Sequence, residues 1–159
     1  MRNLVRSLTG YSQEPRELFL TGLPAQINPI DGGRLGRENC SMTDAWKSYP
    51  GAPIEGAVVC PLEDAVEGEA TCVEVDGFPL LILRLGDKVT AFVNACPHQY
   101  LPLNHKSDRL LSADGAKIRC SNHSAGFDAV TGEGVEGLGL GACLDPAPVS
   151  VSRGQIVIG

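Results

Sequence analysis

This chain of 159 residues has no long apolar run and no recognisable set of residues for substrate chemistry. No apolar run approaches the roughly 18 residues of a transmembrane helix. Residues 1–10 lack the apolar centre of a secretory signal, so we expect a cytoplasmic protein without membrane attachment. A phosphate-binding loop, a Ser-His-Asp arrangement and paired catalytic carboxylates are missing too. We therefore do not expect the chain to be a catalyst by itself.

Basic residues are scarce. The chain has 13 lysine and arginine residues against 19 aspartate and glutamate residues, a net charge of −6. Nucleic-acid-binding domains are usually basic, so this class is disfavoured. An acidic surface instead suits docking to a basic patch on a partner protein. The length suits one domain with an appendage.

Regular structure is hard to predict in the first third of the chain. Residues 1–53 carry six basic against five acidic residues, whereas residues 54–159 carry seven against fourteen. Glycine and proline interrupt the first segment throughout. We predict a poorly ordered N-terminal extension over residues 1–53. It could also be a partner-docking arm, or translation could begin at Met42.

From residue 54 onward the pattern indicates short strands. Ala70–Val75 and the apolar run 79–85 are separated by Asp76-Gly77, a strong hairpin signal. Further strands are predicted at 57–60, 88–94, 110–112, 117–119, 126–129, 149–151 and 155–158. Connections of hairpin length predict antiparallel sheets, so the fold class is all-β, a small sandwich or barrel. The glycine-rich stretch 132–141 is interpreted as a loop that is either simply flexible or passes close to a cofactor.

Two mixed pairs of cysteine and histidine stand out, Cys96-x-His98 and Cys120-x-x-His123, with 21 residues between them. Thiolate and imidazole are ligands for soft and borderline metals. A zinc finger places its cysteines in one pair and its histidines in the other. The mixed order suits two metal atoms, one bound by both sulfurs and one by both nitrogens, as in a [2Fe–2S] centre with mixed ligands. A structural zinc module is the alternative.

The other cysteines and the third histidine lack a neighbour at ligand spacing. Cys60 and Cys72 lie in predicted strands and are expected to be small buried residues. Cys143 lies just beyond the glycine-rich stretch. Without an export signal, we predict metal ligands and reduced thiols rather than a disulfide framework, Cys40 included. His105 lies in a polar stretch, and we expect it to be solvated.

The residues around both pairs resemble the Rieske [2Fe–2S] family, in particular the small soluble ferredoxins of ring-hydroxylating oxygenases. The likeness includes the two pairs, Pro102-Leu103 after the first, and Phe127-Asp128 and Thr131-Gly132 after the second. It extends over about residues 56–159. Tyr100 and Ser124 stand where the family often has glycine, and the resemblance gives no reason for either.

This resemblance implies a Rieske-type sandwich over residues 54–159, with a cluster-binding subdomain of two facing loops. Cys96 and Cys120 would bind one iron and His98 and His123 the other, so that the chain holds one [2Fe–2S] cluster. The implied function is a one-electron carrier between a flavoprotein reductase and an oxygenase. The alternative is a small Rieske subunit of a larger enzyme, such as a nitrite reductase.

Four positions beside the pairs imply a low reduction potential. High-potential relatives have a disulfide between the two loops, where this chain has Leu101 and Asn122. They also have hydroxyl groups that donate hydrogen bonds to the cluster, where this chain has Ala125 and Phe127. Such hydrogen bonds favour the reduced state, so their loss predicts a potential of roughly −150 mV rather than +300 mV.

Overall fold

Nine short strands and two short 3₁₀ helices form the regular structure of the described chain, in keeping with the predicted all-β class. This computed structural model describes Cys40 and residues 44–159. The strands are β1 (Val58–Pro61), β2 (Ala70–Val75), β3 (Phe78–Leu85), β4 (Lys88–Val93), β5 (Lys117–Arg119), β6 (Ala125–Asp128), β7 (Gly134–Gly137), β8 (Val149–Ser152) and β9 (Gln155–Ile158). Two short 3₁₀ helices, Asp44–Ser48 and Leu62–Asp64, lie before and after β1. Within this part of the chain no helix is long and apolar enough to cross a membrane.

The strands pair antiparallel in three three-stranded sheets, β1-β9-β8, β2-β3-β4 and β5-β6-β7. Tight turns explain the pairing. Asp76 and Gly77 have φ angles of 51° and 83°, as the two-residue turn between β2 and β3 requires. Gly86, with φ of 63°, begins the turn between β3 and β4. The predicted antiparallel hairpins are confirmed.

Strand β3 is the centre of the fold because both of its faces are buried. Leu80 and Ile82 lie in one apolar cluster, and Leu81 and Leu83 lie in another. Side chains alternate between the two faces of a strand, so consecutive leucines and isoleucine contribute to two cores. The continuous apolar run in the sequence is the consequence of this double burial.

The two apolar clusters serve different sheets. The first joins β3 to β1 and β9 and contains Trp46 and Ile156. The second joins β3 to β5 and β6 through residues such as Phe127, and it also contains Cys96 and Cys120. The two candidate thiol ligands therefore share an apolar core with β5 and β6, separate from the core that contains Trp46.

The described end of the predicted extension is packed rather than loosely ordered. Trp46, in the first 3₁₀ helix, is 2% exposed. The Tyr49 hydroxyl donates a hydrogen bond to Asp145 Oδ2 at 2.6 Å. Residues 44–53 therefore belong to the folded domain, upstream of the predicted boundary at residue 54. Residues 1–39 and 41–43 lie outside the described residues, and the extension, docking-arm and start-site hypotheses stay predictions there.

Two segments differ from the predicted strands. Within 132–141, where a loop was expected, Gly134–Gly137 forms β7 and pairs with β6. Residues 110–112 form only an isolated bridge, between Leu111 and Ile118. Glycine gives no apolar alternation, so the pattern that identifies a strand is missing from the sequence of β7.

Removing the indole of Trp46 tests whether residues 44–48 belong to the core. Trp46→Ala should lower the free energy of unfolding by roughly 3–5 kcal/mol, the range for truncating a large buried aromatic side chain. The indole N–H has no hydrogen-bond partner among the described residues, so Trp46→Phe should cost much less. Urea unfolding followed by circular dichroism measures both, with the exposed Lys47→Ala as control. A loss below about 1 kcal/mol in Trp46→Ala would contradict this packing.

Candidate metal centre

The first candidate loop, residues 94–104, folds back on itself at the end of β4. The Tyr100 N–H donates to the Cys96 carbonyl at 2.6 Å. At the base of the loop, the Asn94 side chain is 5% exposed and its Oδ1 accepts a hydrogen bond from the Leu103 N–H at 2.9 Å. Because a buried amide is costly unless it is hydrogen-bonded, this contact fixes the loop. The first Cys–His pair is thus carried on a defined backbone.

The second candidate loop is the tight connection between β5 and β6. The Cys120 N–H donates to the Ala125 carbonyl at 2.9 Å, and the Ala125 N–H donates to the His123 carbonyl at 2.8 Å. The strands on either side pair directly, with Arg119 opposite Gly126. The second pair therefore lies at the tip of a hairpin.

Ser121 ties the two loops together, a role that the sequence pattern does not indicate. Its backbone N–H and its hydroxyl both donate to the Leu103 carbonyl, each at 2.8 Å. The hydroxyl also accepts from the Lys106 N–H at 2.9 Å. The residue after Cys120 is thus anchored on the first loop. The available sequence signal is a hydroxyl residue directly after the second cysteine, which is weak because serine is common in loops.

The four candidate ligands are arranged with thiols inside and imidazoles outside. Cys96 and Cys120 are 1% and 6% exposed and share one apolar cluster. His98 and His123 are half-buried. Their ring centroids lie 4.8 Å apart, with the planes at 75°. The two loops therefore bring both pairs to one end of the domain, as predicted.

The donor atoms fit a cluster with mixed ligands. His98 Nδ1 is buried and has no hydrogen-bond partner among the described residues, which is costly unless the nitrogen binds another group. The His123 ring nitrogens lie 3.1 and 3.2 Å from Asn122 Nδ2. Across the described ranges no three His, Cys, Asp or Glu side chains converge on one point. A two-iron cluster does not require this, because each iron takes two protein ligands.

The surroundings of the Cys96 sulfur disfavour a free thiolate, so the thiol holds its proton until a metal displaces it. Burial raises the pKa of this thiol, the backbone N–H of His98 lowers it, and the charge of Cys120 raises it again, with a net increase. Metal binding displaces such a proton. The backbone N–H groups of His98 and Gln99 each lower the pKa of this thiol, so they favour its thiolate form.

Comparisons with known proteins identify this arrangement. The family model described as the Rieske [2Fe-2S] domain matches residues 55–140, which include both loops. The chain belongs to the Rieske family. A domain of this kind holds one [2Fe–2S] cluster, and this Rieske chain is accordingly a one-cluster electron-transfer protein. The cofactor and the fold implied by the sequence resemblance are confirmed.

Similar proteins include ferredoxins of oxygenase systems. The Rieske chain is 29% identical over 106 residues to the ferredoxin component of the alkene monooxygenase system of Xanthobacter autotrophicus (strain ATCC BAA-1158 / Py2), which covers 67% of this chain and 82% of that relative. The ferredoxin of carbazole 1,9a-dioxygenase from Nocardioides aromaticivorans IC177 is 25% identical and covers 67% of this chain and 98% of that chain, with a TM-score of 0.56. A chain from the complex of reduced oxygenase and oxidized ferredoxin in carbazole 1,9a-dioxygenase is 26% identical and covers 64% of this chain and 90% of that chain, with a TM-score of 0.53.

The prediction of reduced thiols is wrong for one pair of cysteines. Cys40 and Cys143 form a disulfide across 103 residues of sequence. Whether two cysteines can pair depends on the proximity of their Cα atoms, here 5.6 Å, and sequence spacing does not report it. Cys60 and Cys72 are free, as predicted, and burial raises the pKa of Cys72 to about 11. His105, the third histidine, is exposed, as expected.

The glycine tract of this Rieske domain packs against the second loop, so it is not a plain flexible connection. A Cβ at Gly137 would lie 1.7 Å from the Ser124 carbonyl oxygen, and a Cβ at Gly139 would lie 2.7 Å from the Gly126 carbonyl oxygen. The Leu138 N–H donates to the same Ser124 carbonyl at 2.9 Å. Close backbone approach is therefore what requires glycine here.

Tyr100 stands at a position where the family often has glycine, and its backbone conformation explains that preference. Its φ angle is 56°, in the left-handed region that glycine adopts freely. A residue with a Cβ costs about 1–2 kcal/mol in that conformation, so the glycine common in the family avoids this strain. The Tyr100 side chain is 71% exposed, and packing over the metal centre does not offset the cost. Ser124 has no positive φ, so its backbone does not call for glycine.

The close approach of Gly137 to the Ser124 carbonyl predicts that a larger residue at this position weakens both cluster binding and the fold. Gly137→Ala places a methyl group against the Ser124 carbonyl, beside His123, and should reduce the iron and visible absorbance per chain. It should also lower the free energy of unfolding by at least about 2 kcal/mol more than Gly141→Ala. Gly141 is the matched control because it has a similar φ of +78° but open space around its Cβ. Equal effects of the two variants would mean that backbone strain alone, rather than contact with the loop, explains the tract.

Proposed function

We propose that this Rieske protein is the ferredoxin component of an oxygenase system. It accepts single electrons from a flavoprotein reductase and passes them to an oxygenase in the cytoplasm, without catalysing a reaction itself. The observation that carries the proposal is the meeting of two buried thiols and two half-buried imidazoles at one end of a small domain. When bound there, the [2Fe–2S] cluster supplies the one-electron chemistry.

Cys96 and Cys120 are the proposed ligands of one iron, and His98 and His123 are those of the other. Two features support this division. Both cysteines lie in the apolar cluster, which keeps water from the sulfurs. The unpartnered His98 Nδ1 is buried while the ring as a whole is half-exposed, so one nitrogen faces inward and the ring edge faces solvent. Electrons then leave through the imidazole side of the domain, where a partner can approach.

The matched relatives support an oxygenase as the acceptor. The Xanthobacter relative is named as the ferredoxin component of a monooxygenase system, and the carbazole dioxygenase complex contains a ferredoxin with an oxygenase. The similarity covers 82% of the first relative and 98% of the Nocardioides ferredoxin, so this chain is similar to nearly whole ferredoxins. A net charge of −6 suits a partner with a basic docking patch.

Substitution of the ligands tests the proposed site. The protein purified without oxygen should contain two irons and two sulfides per chain, with a rhombic electron paramagnetic resonance signal of low average g after dithionite reduction. His98→Ala and His123→Ala should abolish that signal, because each removes a ligand of the same iron. His105→Ala should leave it unchanged, since His105 is exposed and outside both loops. An all-cysteine signal, or one zinc per chain, would contradict the ligand set.

The same preparation tests the partner. The reduced protein should be reoxidised by an added oxygenase component, such as that of the alkene monooxygenase system, faster than by an equal concentration of serum albumin in air-free buffer. Complex formation should be transient, as for a shuttling carrier. A chain that copurifies stably with a large reductase subunit would favour the nitrite reductase alternative.

A low reduction potential follows from the two positions without a hydroxyl. Ala125 and Phe127 are 2% and 0% exposed, and they belong to the same group of buried apolar side chains as both cysteines. The wild-type midpoint should lie at roughly −150 mV. Ala125→Ser and Phe127→Tyr each introduce a hydroxyl near the sulfurs and should raise the midpoint, since hydrogen bonds to cluster sulfur favour the reduced form. Redox titration measures the shift, and a wild-type midpoint above about 0 mV would refute the assignment.

A further inference from the structure

Glu136 lies across the outer face of the sheet that carries the second loop. Arg119 of β5, Gly126 of β6 and Glu136 of β7 are directly opposite one another in register. Residues opposite each other in adjacent strands place their side chains on the same face. The other face of this sheet is the apolar core, which contains Ile118 and Phe127. The row therefore faces solvent.

The carboxylate reaches over the middle strand to two cations. Glu136 Oε2 lies 3.0 Å from Lys117 Nζ and 3.5 Å from Arg119 Nη2. A Cβ at Gly126 would lie 2.8 Å from the Glu136 Cβ, so a side chain there would displace Glu136. Glycine on β6 thus leaves the path open between β7 and β5.

This charged row adjoins the proposed iron ligands. Glu136 and Arg119 line a cavity of about 410 Å³ together with residues 120–125, which include Cys120 and His123. The hydrogen bond from Lys117 and the charge of Arg119 lower the pKa of the Glu136 carboxyl, so it is ionised at neutral pH. Lys117, Arg119 and Glu136 together carry a net charge of +1 with Glu136 ionised and would carry +2 without that carboxylate.

We propose that Glu136 is a charge-balancing residue that lowers the reduction potential of the cluster by neutralising part of the Lys117–Arg119 charge beside the second loop. Reduction adds one negative charge to the cluster, and nearby positive charge favours the reduced form. The Glu136 carboxylate opposes that effect and holds both cations along the sheet. The inference rests on the proposed ligand set, because it requires the cluster to lie at Cys120 and His123.

Redox titration of single-charge variants tests this role. Glu136→Gln keeps the side-chain shape and removes the charge, so the equilibrium constant for reduction should rise about threefold, or about 28 mV at 59 mV per tenfold change for one electron. Arg119→Gln should change it by a similar factor in the opposite direction. Both shifts should shrink when the salt concentration is raised from about 0.02 M to about 0.5 M, because salt screens exposed charges.

Two variants separate charge from structure. Glu136→Asp keeps the charge and should retain a near wild-type potential. Glu133→Gln removes a negative charge from the same segment, where within residues 44–159 the carboxylate forms no ion pair, and it should give less than half the shift. A Glu136→Gln potential that is unchanged, lowered, or shifted no more than that of Glu133→Gln overturns the role of Glu136. Should Glu136→Gln fail to fold, Glu136→Ala, which also removes the carboxylate, takes its place, and the same rise in the potential relative to Glu133→Gln is required.

The electron paramagnetic resonance spectrum of the wild-type protein distinguishes a wrong role for Glu136 from a wrong ligand set. A mixed-ligand electron paramagnetic resonance signal with an unshifted Glu136→Gln potential rejects Glu136 alone. An all-cysteine wild-type signal rejects the ligand set, and with it the premise of this inference.

Discussion

The rest of the structure depends on the burial of strand β3 on both faces. Leu80 and Ile82 pack into one cluster, and Leu81 and Leu83 pack into the other. One strand thus separates a core for β1, β9 and the segment around Trp46 from a core for β5, β6 and the two proposed cysteine ligands. The loops that carry the proposed ligands extend from strand ends over a packed interior, so their backbone is set by regular structure on each side.

Many of the turns and strands, and the two Cys–His pairs, could be predicted because their signals lie within short stretches of sequence. A turn such as Asp76-Gly77 depends on φ angles that only a few residue types adopt easily, so its sequence reports its geometry. The run in β3 reports double burial for a similar reason. The proposed ligand pairs are also local, because Cys96 and His98 are two residues apart, and Cys120 and His123 are three. Each pair needs only its own loop to bring its donors together, and the strand pattern places both loops at one end.

Features that depend on distant contacts were not predictable in the same way. The Cys40–Cys143 disulfide joins residues 103 apart, and the Tyr49–Asp145 hydrogen bond joins residues 96 apart. A lone tryptophan in a segment rich in glycine and proline gives no periodic pattern, so the burial of Trp46 was missed. Strand β7 was missed because glycine at its two ends is selected by close backbone contact rather than by a buried face.

The net charge of the chain does not describe the charge around the second loop. The value of −6 describes the whole chain, but the acidic residues are unevenly placed: residues 55–76 contain seven acidic residues and no basic one. The stretch from Lys106 to Arg119 contains four basic residues and leads directly into Cys120. The two regions therefore carry local charges of opposite sign. Long-range attraction to a partner follows the total charge, whereas the free energy of adding an electron follows the charges within about one Debye length of the second loop. The acidity of the chain and the electrostatics of its metal centre are therefore separate properties, and each can change without the other.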